Sequence, residues 1–301
     1  MAAAGKKKKF RLSSVLINLF FIIGSLMFIV PFVLIISASF TEENALLEEG
    51  YKLIPAVFST EAYKYVFRSP EQLIDSYKIT IIYSFIATIL AVMVMSMMAY
   101  PLSKPNYKYK KPVTYMILFT MLFSGGLVPQ YIWFTRYLHL GDTIWVYIFP
   151  YLVSGFHVIV IRTFFQGLPQ SLTEAAKIDG ASELQTYFKI VLPLSKPVIA
   201  TIALLNLLGR WNDWNTALIY IQSTELYSLQ YLLQKILREV EFIQGMAESS
   251  PVAGLSFDVS SIPSETIRFA MCIVAAGPML VVFPFFQKYF AKGLTVGAVK
   301  G

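Results

Sequence analysis

A cluster of polar and aromatic side chains interrupts a long apolar run around residue 210. Arg210 and Asp213 lie three residues apart, so they can pair on one face of a helix. The neighbouring Trp and Asn side chains suit an uncharged carbohydrate, because indole faces stack on sugar rings and amides hydrogen-bond sugar hydroxyls. Ionisable residues inside an apolar span usually face a bundle interior or an aqueous path. The alternatives are a purely structural ion pair and tryptophans that lie at a membrane interface.

A second polar interruption lies in residues 123–131. The pair Gly125-Gly126 and Pro129 break helical hydrogen bonds, which a membrane tolerates only where protein or a water-filled cavity covers the freed groups. Cavity lining and a plain packing kink both remain open. The substrate-pathway candidates from the two regions are Gln130, Tyr131, Asn206, Trp211, Asn212, Asp213, Trp214 and Asn215.

Residues 174–193 form an amphipathic stretch between two apolar runs. The Glu-Ala-Ala sequence at 174–176 favours a short helix, and Gly180 ends it because glycine leaves a helix without a steric penalty. A second short helix is predicted from Ser182. Its expected apolar face consists of Leu184, Tyr187, Phe188 and Val191. Two short helices at a bend suit contact with another protein, whereas an ordinary solvated loop is the alternative.

Motifs for catalysis are missing from the sequence. There is no G-x-x-x-x-G-K-[ST] loop to cradle ATP phosphates, no G-x-S-x-G nucleophile turn and no His/Cys/Asp cluster at metal-ligand spacing. We therefore expect a protein without a catalytic site, metal or cofactor of its own.

The composition predicts an integral membrane protein. Of the 301 residues, 56% are hydrophobic and only 14% are charged, whereas soluble domains are about 25% charged. Six runs reach the roughly 20 apolar residues that a membrane-spanning helix needs. The predicted spans are residues 14–37, 78–100, 112–134, 143–166, 195–221 and 267–290. The fold class is therefore all-α, with six transmembrane helices.

The positive charges predict the orientation of these spans. Sixteen of the 25 Lys and Arg residues lie in segments 1–13, 101–111, 162–197 and 288–301. Since such residues accumulate on the cytoplasmic side, both termini and residues 174–193 are expected there. The predicted organisation is a basic N-terminus at 1–13, a transmembrane domain at 14–290 and a tail at 291–301. Within the domain, cytoplasmic helices occupy 171–192, and external segments occupy 41–77 and 222–266.

The stretch 174–193 resembles the EAA signature of the permeases of bacterial ABC importers. The pattern Glu174-Ala175-Ala176, Gly180, Ile190 and Leu192-Pro193 is complete. Asp179, Gly180 and Ala181 add the Asp-Gly-Ala core that is usual in that family. The resemblance implies a type I permease fold and ATPase contacts at Glu174, Ala175, Ala176, Asp179, Gly180, Leu184, Tyr187 and Phe188.

Two further segments resemble the carbohydrate branch of that family. Residues 211–214, Trp-Asn-Asp-Trp, are similar to its Trp-Asn-Asp-aromatic element, although Trp214 stands where Phe is more usual. The C-terminus is similar to the tail of maltose-type permeases, which contacts the ATPases. Its glycines favour an extended peptide, and the implied contacts are Gly293, Leu294, Thr295, Gly297 and Lys300.

The resemblance also implies the partners and the solute. The chain is expected in the bacterial cytoplasmic membrane with a second permease, two ATPases that bind ATP and Mg²⁺, an external solute-binding protein and membrane lipid, but no nucleic acid. The solute is expected to be a carbohydrate, and more specifically an oligosaccharide. Alternatives are a non-sugar solute such as an amino acid or phosphate, or a membrane enzyme or scaffold without a transport role.

We expect Glu174→Ala to remove coupling between ATP hydrolysis and uptake, because the resemblance implies that Glu174 anchors a basic group of the ATPase. The variant should still insert into the membrane. ATP-dependent uptake by the reconstituted complex is the measurement, and unchanged uptake would remove this role from Glu174.

Overall fold

The computed structural model describes residues 12–249 and 264–298. These residues are almost entirely helical, and their extended pairing is limited to an isolated bridge between Thr41 and Phe58. The α-helices are Leu12–Ser39 (α1), Glu43–Glu49 (α2), Glu61–Val66 (α3), Pro70–Ser103 (α4), Lys110–Leu122 (α5), Leu127–Ile132 (α6), Gly155–Gln166 (α7), Gln170–Ile178 (α8), Glu183–Thr186 (α9), Leu192–Leu194 (α10), Lys196–Trp211 (α11), Asn215–Tyr220 (α12), Leu229–Ser249 (α13) and Ser264–Ala298 (α14). Short π-helical segments cover Trp133–Tyr137 and Tyr187–Val191, and 3₁₀ turns cover Ile144–Tyr147, Phe149–Tyr151 and Thr224–Leu226.

Three helices are long and apolar enough to cross a membrane, and three bent helix pairs bring the candidate spans to six. The all-α class is thus confirmed, and five of the six predicted spans agree in position with a candidate. The fifth, predicted at 195–221, differs, because the bent pair found there covers Glu183–Leu194 and Lys196–Trp211. The straight spans are Leu16–Ser39, Pro70–Ser103 and Ser264–Gln287. The bent pairs are Lys110–Leu122 with Leu127–Tyr137, Ile144–Tyr151 with Gly155–Gln166, and Glu183–Leu194 with Lys196–Trp211.

Three of the predicted spans are not straight helices, and the fourth, 143–166, bends by 49° between Tyr151 and Gly155. The third is interrupted at residues 123–126, where Gly126 adopts φ +88° and the flanking helices diverge by 111°. Glycine tolerates this left-handed backbone, and Pro129 lies in the first turn of α6, where its missing N–H breaks no helical bond. The fifth predicted span, 195–221, ends its first helix at Trp211 and resumes at Asn215.

The larger of two compact units comprises residues 69–235 and 275–301. Within it, α4 packs against both α7 and α11. The face of α4 that contacts α7 and α11 carries the small buried side chains Ala91 and Ala99. Small residues let helix backbones approach closely, which matters in a membrane because lipid provides little hydrophobic drive for association. This packing forms the core of the unit.

The other unit comprises residues 1–68 and 236–274. It contains the short helices α2 and α3, and Glu43 at the start of α2 has a structural role. Its carboxylate accepts hydrogen bonds from the backbone N–H groups of Glu265 (2.8 Å) and Thr266 (2.9 Å) at the start of α14. A carboxylate at a helix N-terminus satisfies free N–H groups and favourably meets the helix dipole.

The last two long helices test the remaining predictions of local structure. In α13, Leu229, Leu232, Leu233 and Val240 are buried, which confirms one apolar face. In contrast, the extended tail is a wrong prediction for Gly293–Gly297, because α14 continues to Ala298. Each glycine lowers helix stability by about 1 kcal/mol but does not prevent a helix from forming. Here the residues 293–297 extend the long helix α14.

We expect Gly155→Ala to lower the free energy of unfolding by about 1–3 kcal/mol, the usual cost of overpacking. A Cβ at Gly155 would lie 2.7 Å from Cγ of Met121 and 3.1 Å from Cγ2 of Ile117, both on α5. The melting temperature of the purified protein in detergent measures the effect. Gly209→Ala is the matched control, because a Cβ there meets open space. Equal melting temperatures for Gly155→Ala and the native sequence would contradict the packing of α5 against α7.

Candidate functional site

The first candidate site is the helical bend at residues 170–191. Helix α8 ends in a turn in which Ala181 donates its N–H to the carbonyl of Ala176 (2.9 Å) and Gly180 donates to that of Lys177 (3.2 Å). With Gly180 at φ +73°, this is a Schellman motif, which favours glycine at the left-handed position. The predicted break at Gly180 is therefore confirmed, with Asp179 as the C-cap of α8.

The second helix of the bend begins where the sequence predicts it. Ser182 and Gln185 form a reciprocal capping box, with bonds of 3.3 Å and 2.9 Å. Since each side chain satisfies the other residue's backbone N–H, the start of α9 is firmly defined.

The predicted apolar face of this second helix divides into two sides. Leu184 and Phe188 are 62% and 44% exposed, whereas Tyr187 and Val191 are 2% and 3% exposed. Tyr187 therefore belongs to the chain's own core and is not available to a partner, contrary to the prediction. The reason is that both sides of the segment are apolar, so helical spacing alone cannot separate them.

The exposed surface of the bend combines apolar and polar groups. Ile178 is 87% exposed at the end of α8. Glu174 lies on the exposed side and accepts a 2.9 Å hydrogen bond from Nε2 of Gln170, one helical turn earlier. Ala175 is exposed, whereas Ala176 is buried and packs inward. Exposed large apolar residues of this kind mark an interaction surface.

The second candidate site surrounds the break between α11 and α12. The guanidinium of Arg210 lies 3.0 Å from Oδ2 of Asp213 and 3.6 Å from the ring centroid of Tyr151. Asp213 also accepts from the backbone N–H and the hydroxyl of Thr216, at 3.0 and 2.7 Å. The hydroxyl groups of Tyr151 and Thr216 are 2.7 Å apart, which closes a ring of four side chains.

This ring gives Asp213 a structural role. Its carboxylate neutralises Arg210 and accepts from the backbone N–H of Thr216 in the first turn of α12, so it stabilises the start of the helix after the break. The structural ion pair is thus the alternative that the geometry supports. Sequence reasoning identified Arg210 and Asp213 but missed Tyr151 and Thr216, since no local pattern connects residues some 60 positions apart.

The remaining pathway candidates fall into two groups. Trp211 is 2% exposed, and its Nε1 donates to the carbonyl of Ala275 (2.9 Å). Asn206 is also buried, 3.4 Å from the hydroxyl of Thr88. The exposed candidates are Gln130, Tyr131, Asn212, Trp214 and Asn215. Among these candidates, the second group is the one whose side chains are exposed at the surface.

One aromatic contact and one set of hydrogen bonds attach distant segments to α12 and to the loop that follows it. The ring of Tyr131 stacks on that of Tyr220 at 5.7 Å, which places α6 beside α12. Asp142 accepts from the hydroxyl (2.6 Å) and N–H (2.9 Å) of Ser223 and from the N–H of Gln222 (2.9 Å). These bonds, led by the Ser223 hydroxyl, hold the pKa of Asp142 below its usual value.

The residues predicted to contact the ATPases from the C-terminal tail are only partly described by the structure. Gly293, Leu294, Thr295 and Gly297 lie on the helical backbone of α14, and Lys300 lies outside the described residues. Within residues 12–249 and 264–298, no group of three or more His, Cys, Asp and Glu side chains could hold a metal ion.

Comparison with known proteins places these features in a family. A sequence model of the family "binding-protein-dependent transport system inner membrane component" matches residues 112–296, which include both candidate sites. The chain belongs to this family. It is therefore a transporter permease subunit of the type I fold and a multi-pass protein of the bacterial cytoplasmic membrane.

Individual relatives cover nearly the whole permease. The polygalacturonan/rhamnogalacturonan transport system permease protein YtcP of Bacillus subtilis is 38% identical, over 97% of this chain and 100% of that protein. Protein LplC of the same organism is 40% identical, over 91% and 90% of the two chains. A crystal structure of a bacterial ABC transporter that imports the acidic polysaccharide alginate matches with TM-score 0.75, 27% identity and coverage of 96% and 100%.

We expect Asp213→Asn to destabilise the permease by about 3–5 kcal/mol, because it leaves the largely buried Arg210 without its counter-charge. The side chains of Arg210 and Asp213 are only 15% and 8% exposed. Thermal unfolding in detergent is the measurement, with Asn212→Ala as the exposed neighbouring control. Adding Arg210→Gln to Asp213→Asn should recover part of the loss. An unchanged melting temperature for Asp213→Asn would contradict the structural role of the pair.

Proposed function

We propose that this permease forms half of the translocation pathway of an ATP-driven importer of carbohydrate, specifically of oligosaccharides. The names of its relatives carry the proposal. They include permeases for polygalacturonan/rhamnogalacturonan and for arabinooligosaccharides, the latter 29% identical over 97% of this chain. The exposed Trp214, Asn212 and Asn215 add support, since indole and amide groups suit sugar rings and hydroxyls. An amino acid or phosphate importer has no comparable support.

The complete importer would contain a second, related permease, two ATPase subunits that bind ATP and Mg²⁺, and a solute-binding protein outside the membrane. Family membership supports a binding protein, because the family is named for dependence on one. The ATPases are proposed as separate chains because this sequence has no phosphate-binding loop.

Coupling would occur at the exposed surface of the bend at residues 170–191. Ile178, Leu184 and Phe188 would enter a groove of the ATPase, and Glu174 would pair with a basic group at its edge. Asp179 and Gly180 would keep the two short helices at the angle that the groove requires. The tail residues near Gly293, Leu294 and Lys300 would reach the ATPases from the end of α14.

Transport would follow from rigid movement of the helices. Closure of the ATPases on ATP would push the bend, and a solute site near the middle of the bilayer would change from outward to inward access. The ring of Arg210, Asp213, Thr216 and Tyr151 would hold the ends of α11 and α12 together during this movement. The exposed side chains beside the break would therefore keep their positions.

We expect ATP hydrolysis by the purified complex in nanodiscs to be stimulated by the binding protein only when it is loaded with one class of oligosaccharide. The panel should contain polygalacturonate, alginate, arabinan and maltose-type oligosaccharides, with phosphate and amino acids as non-sugar controls. Stimulation by a sugar class supports both the importer and its substrate. An assembled complex that responds to the non-sugar solutes and to no sugar would overturn the carbohydrate assignment.

A further inference from the structure

The bend at residues 170–191 is attached to α4 by polar side chains outside the signature pattern. Oε2 of Glu183 accepts a 2.8 Å hydrogen bond from the hydroxyl of Tyr100 and forms an ion pair with Nζ of Lys104. The same Nζ lies 4.6 Å from the ring centroid of Tyr100. Glu183 is the first residue of α9, so its three-way contact fixes the start of that helix against the end of α4.

A second contact lies one helical turn further along both segments. The hydroxyl groups of Tyr187 and Ser96 are 2.7 Å apart, and the rings of Tyr187 and Tyr100 are 5.3 Å apart. Ser96, Tyr100 and Lys104 follow one another at spacing four, and so do Glu183 and Tyr187. Residues at this spacing share a face of a helix. The two segments therefore lie antiparallel with matched contacts along one face of each.

Helix α8, in contrast, is separated from the end of α4 by open space. A cavity of about 410 Å³ is lined by Lys104 and Asn106 on one side and by Gln170, Glu174 and Lys177 on the other. Apart from the link through α7, a displacement of α8 can reach α4 through the turn at Gly180 and the contacts of Glu183.

The exposure of the ion pair argues against a role in stability. The side chains of Lys104 and Glu183 are 31% and 65% exposed, and ion pairs of this exposure contribute little to folding. What the pair does provide is a fixed register between α9 and the helix at the centre of the core, which packs against α7 and α11.

We propose that Glu183 is a positioning residue for energy coupling, which holds the bend to α4 through Lys104 and Tyr100 so that α4 moves with it when the ATPases close. The inference rests on the proposed function. It adds a residue and a route by which movement of the bend would reach the membrane-spanning core.

The first test is the number of sugar molecules imported per ATP hydrolysed by the reconstituted complex. We expect Glu183→Gln to lower this ratio about fivefold, the size of a modest coupling between two sites. The double variant Lys104→Glu with Glu183→Lys, which exchanges the two charges, should restore the ratio. Tyr100→Phe should lower the ratio less than Glu183→Gln does, because the ion pair remains. Glu61→Gln is the control, because it removes an ion pair on α3 whose carboxylate side chain is as exposed as that of Glu183, 64% against 65%; it should leave the ratio unchanged. An unaltered ratio in Glu183→Gln would overturn the proposal.

The second test does not depend on the solute. Spin labels at Ser171→Cys on α8 and Asn106→Cys just after α4, in a Cys272→Ser background, report the distance between the two segments. In the otherwise native complex, the distance between the labels should be the same without nucleotide and after trapping with ATP, Mg²⁺ and vanadate. In Glu183→Gln, the distance should differ between these two states. An unchanged distance between the two states in Glu183→Gln would overturn the proposal that Glu183 holds the bend to α4. Absence of sugar-stimulated hydrolysis in the native complex would count against the proposed function alone.

Discussion

Close packing of α4 against α7 and α11 is the constraint on which both candidate sites depend. The small side chains Ala91 and Ala99 are completely buried at this contact, where dispersion between closely spaced backbones replaces the hydrophobic drive available in water. The same helix touches both sites: the hydroxyl of Tyr83 donates to the carbonyl of Arg210, and Tyr100 donates to Glu183. At 1.5 Å per residue, these two contacts are about 25 Å apart along the helix. Helix α4 thus connects the two sites over a distance close to the thickness of a bilayer's hydrocarbon core, which is about 30 Å.

The sequence predicts those features whose causes are local. Apolar runs of sufficient length give the spans, Gly180 gives the turn after α8, and Ser182 gives the start of α9. In each case, a few consecutive residues contain the whole physical reason, either through hydropathy, a left-handed backbone or a capping hydrogen bond. The polar cluster at residues 210–213 was also identifiable, because charges are rare in apolar runs.

Contacts between distant residues were not predictable in the same way. Nothing near Tyr187 in sequence indicates that its hydroxyl meets Ser96, 91 residues away, while Phe188 beside it stays exposed. Trp211 looked like a sugar-stacking residue, yet it is buried with its indole N–H bonded to Ala275. Burial of aromatic side chains depends on which helix lies opposite, and a single sequence does not contain that information. The relatives identify the family, but the geometry decides which members of each motif face outward.

The broken third span has a consequence for how the subunit exists in a cell. At residues 123–126 the backbone leaves the helix, and a Cβ at Gly125 or Gly126 would meet nothing within 4 Å. Peptide groups in such a segment cannot face lipid, because hydrocarbon offers them no hydrogen-bond partner. Another polypeptide or enclosed water must therefore cover this turn in the mature assembly. A copy without its partners would leave peptide groups of this turn uncovered, so the third span would depend on the assembled complex for its cover.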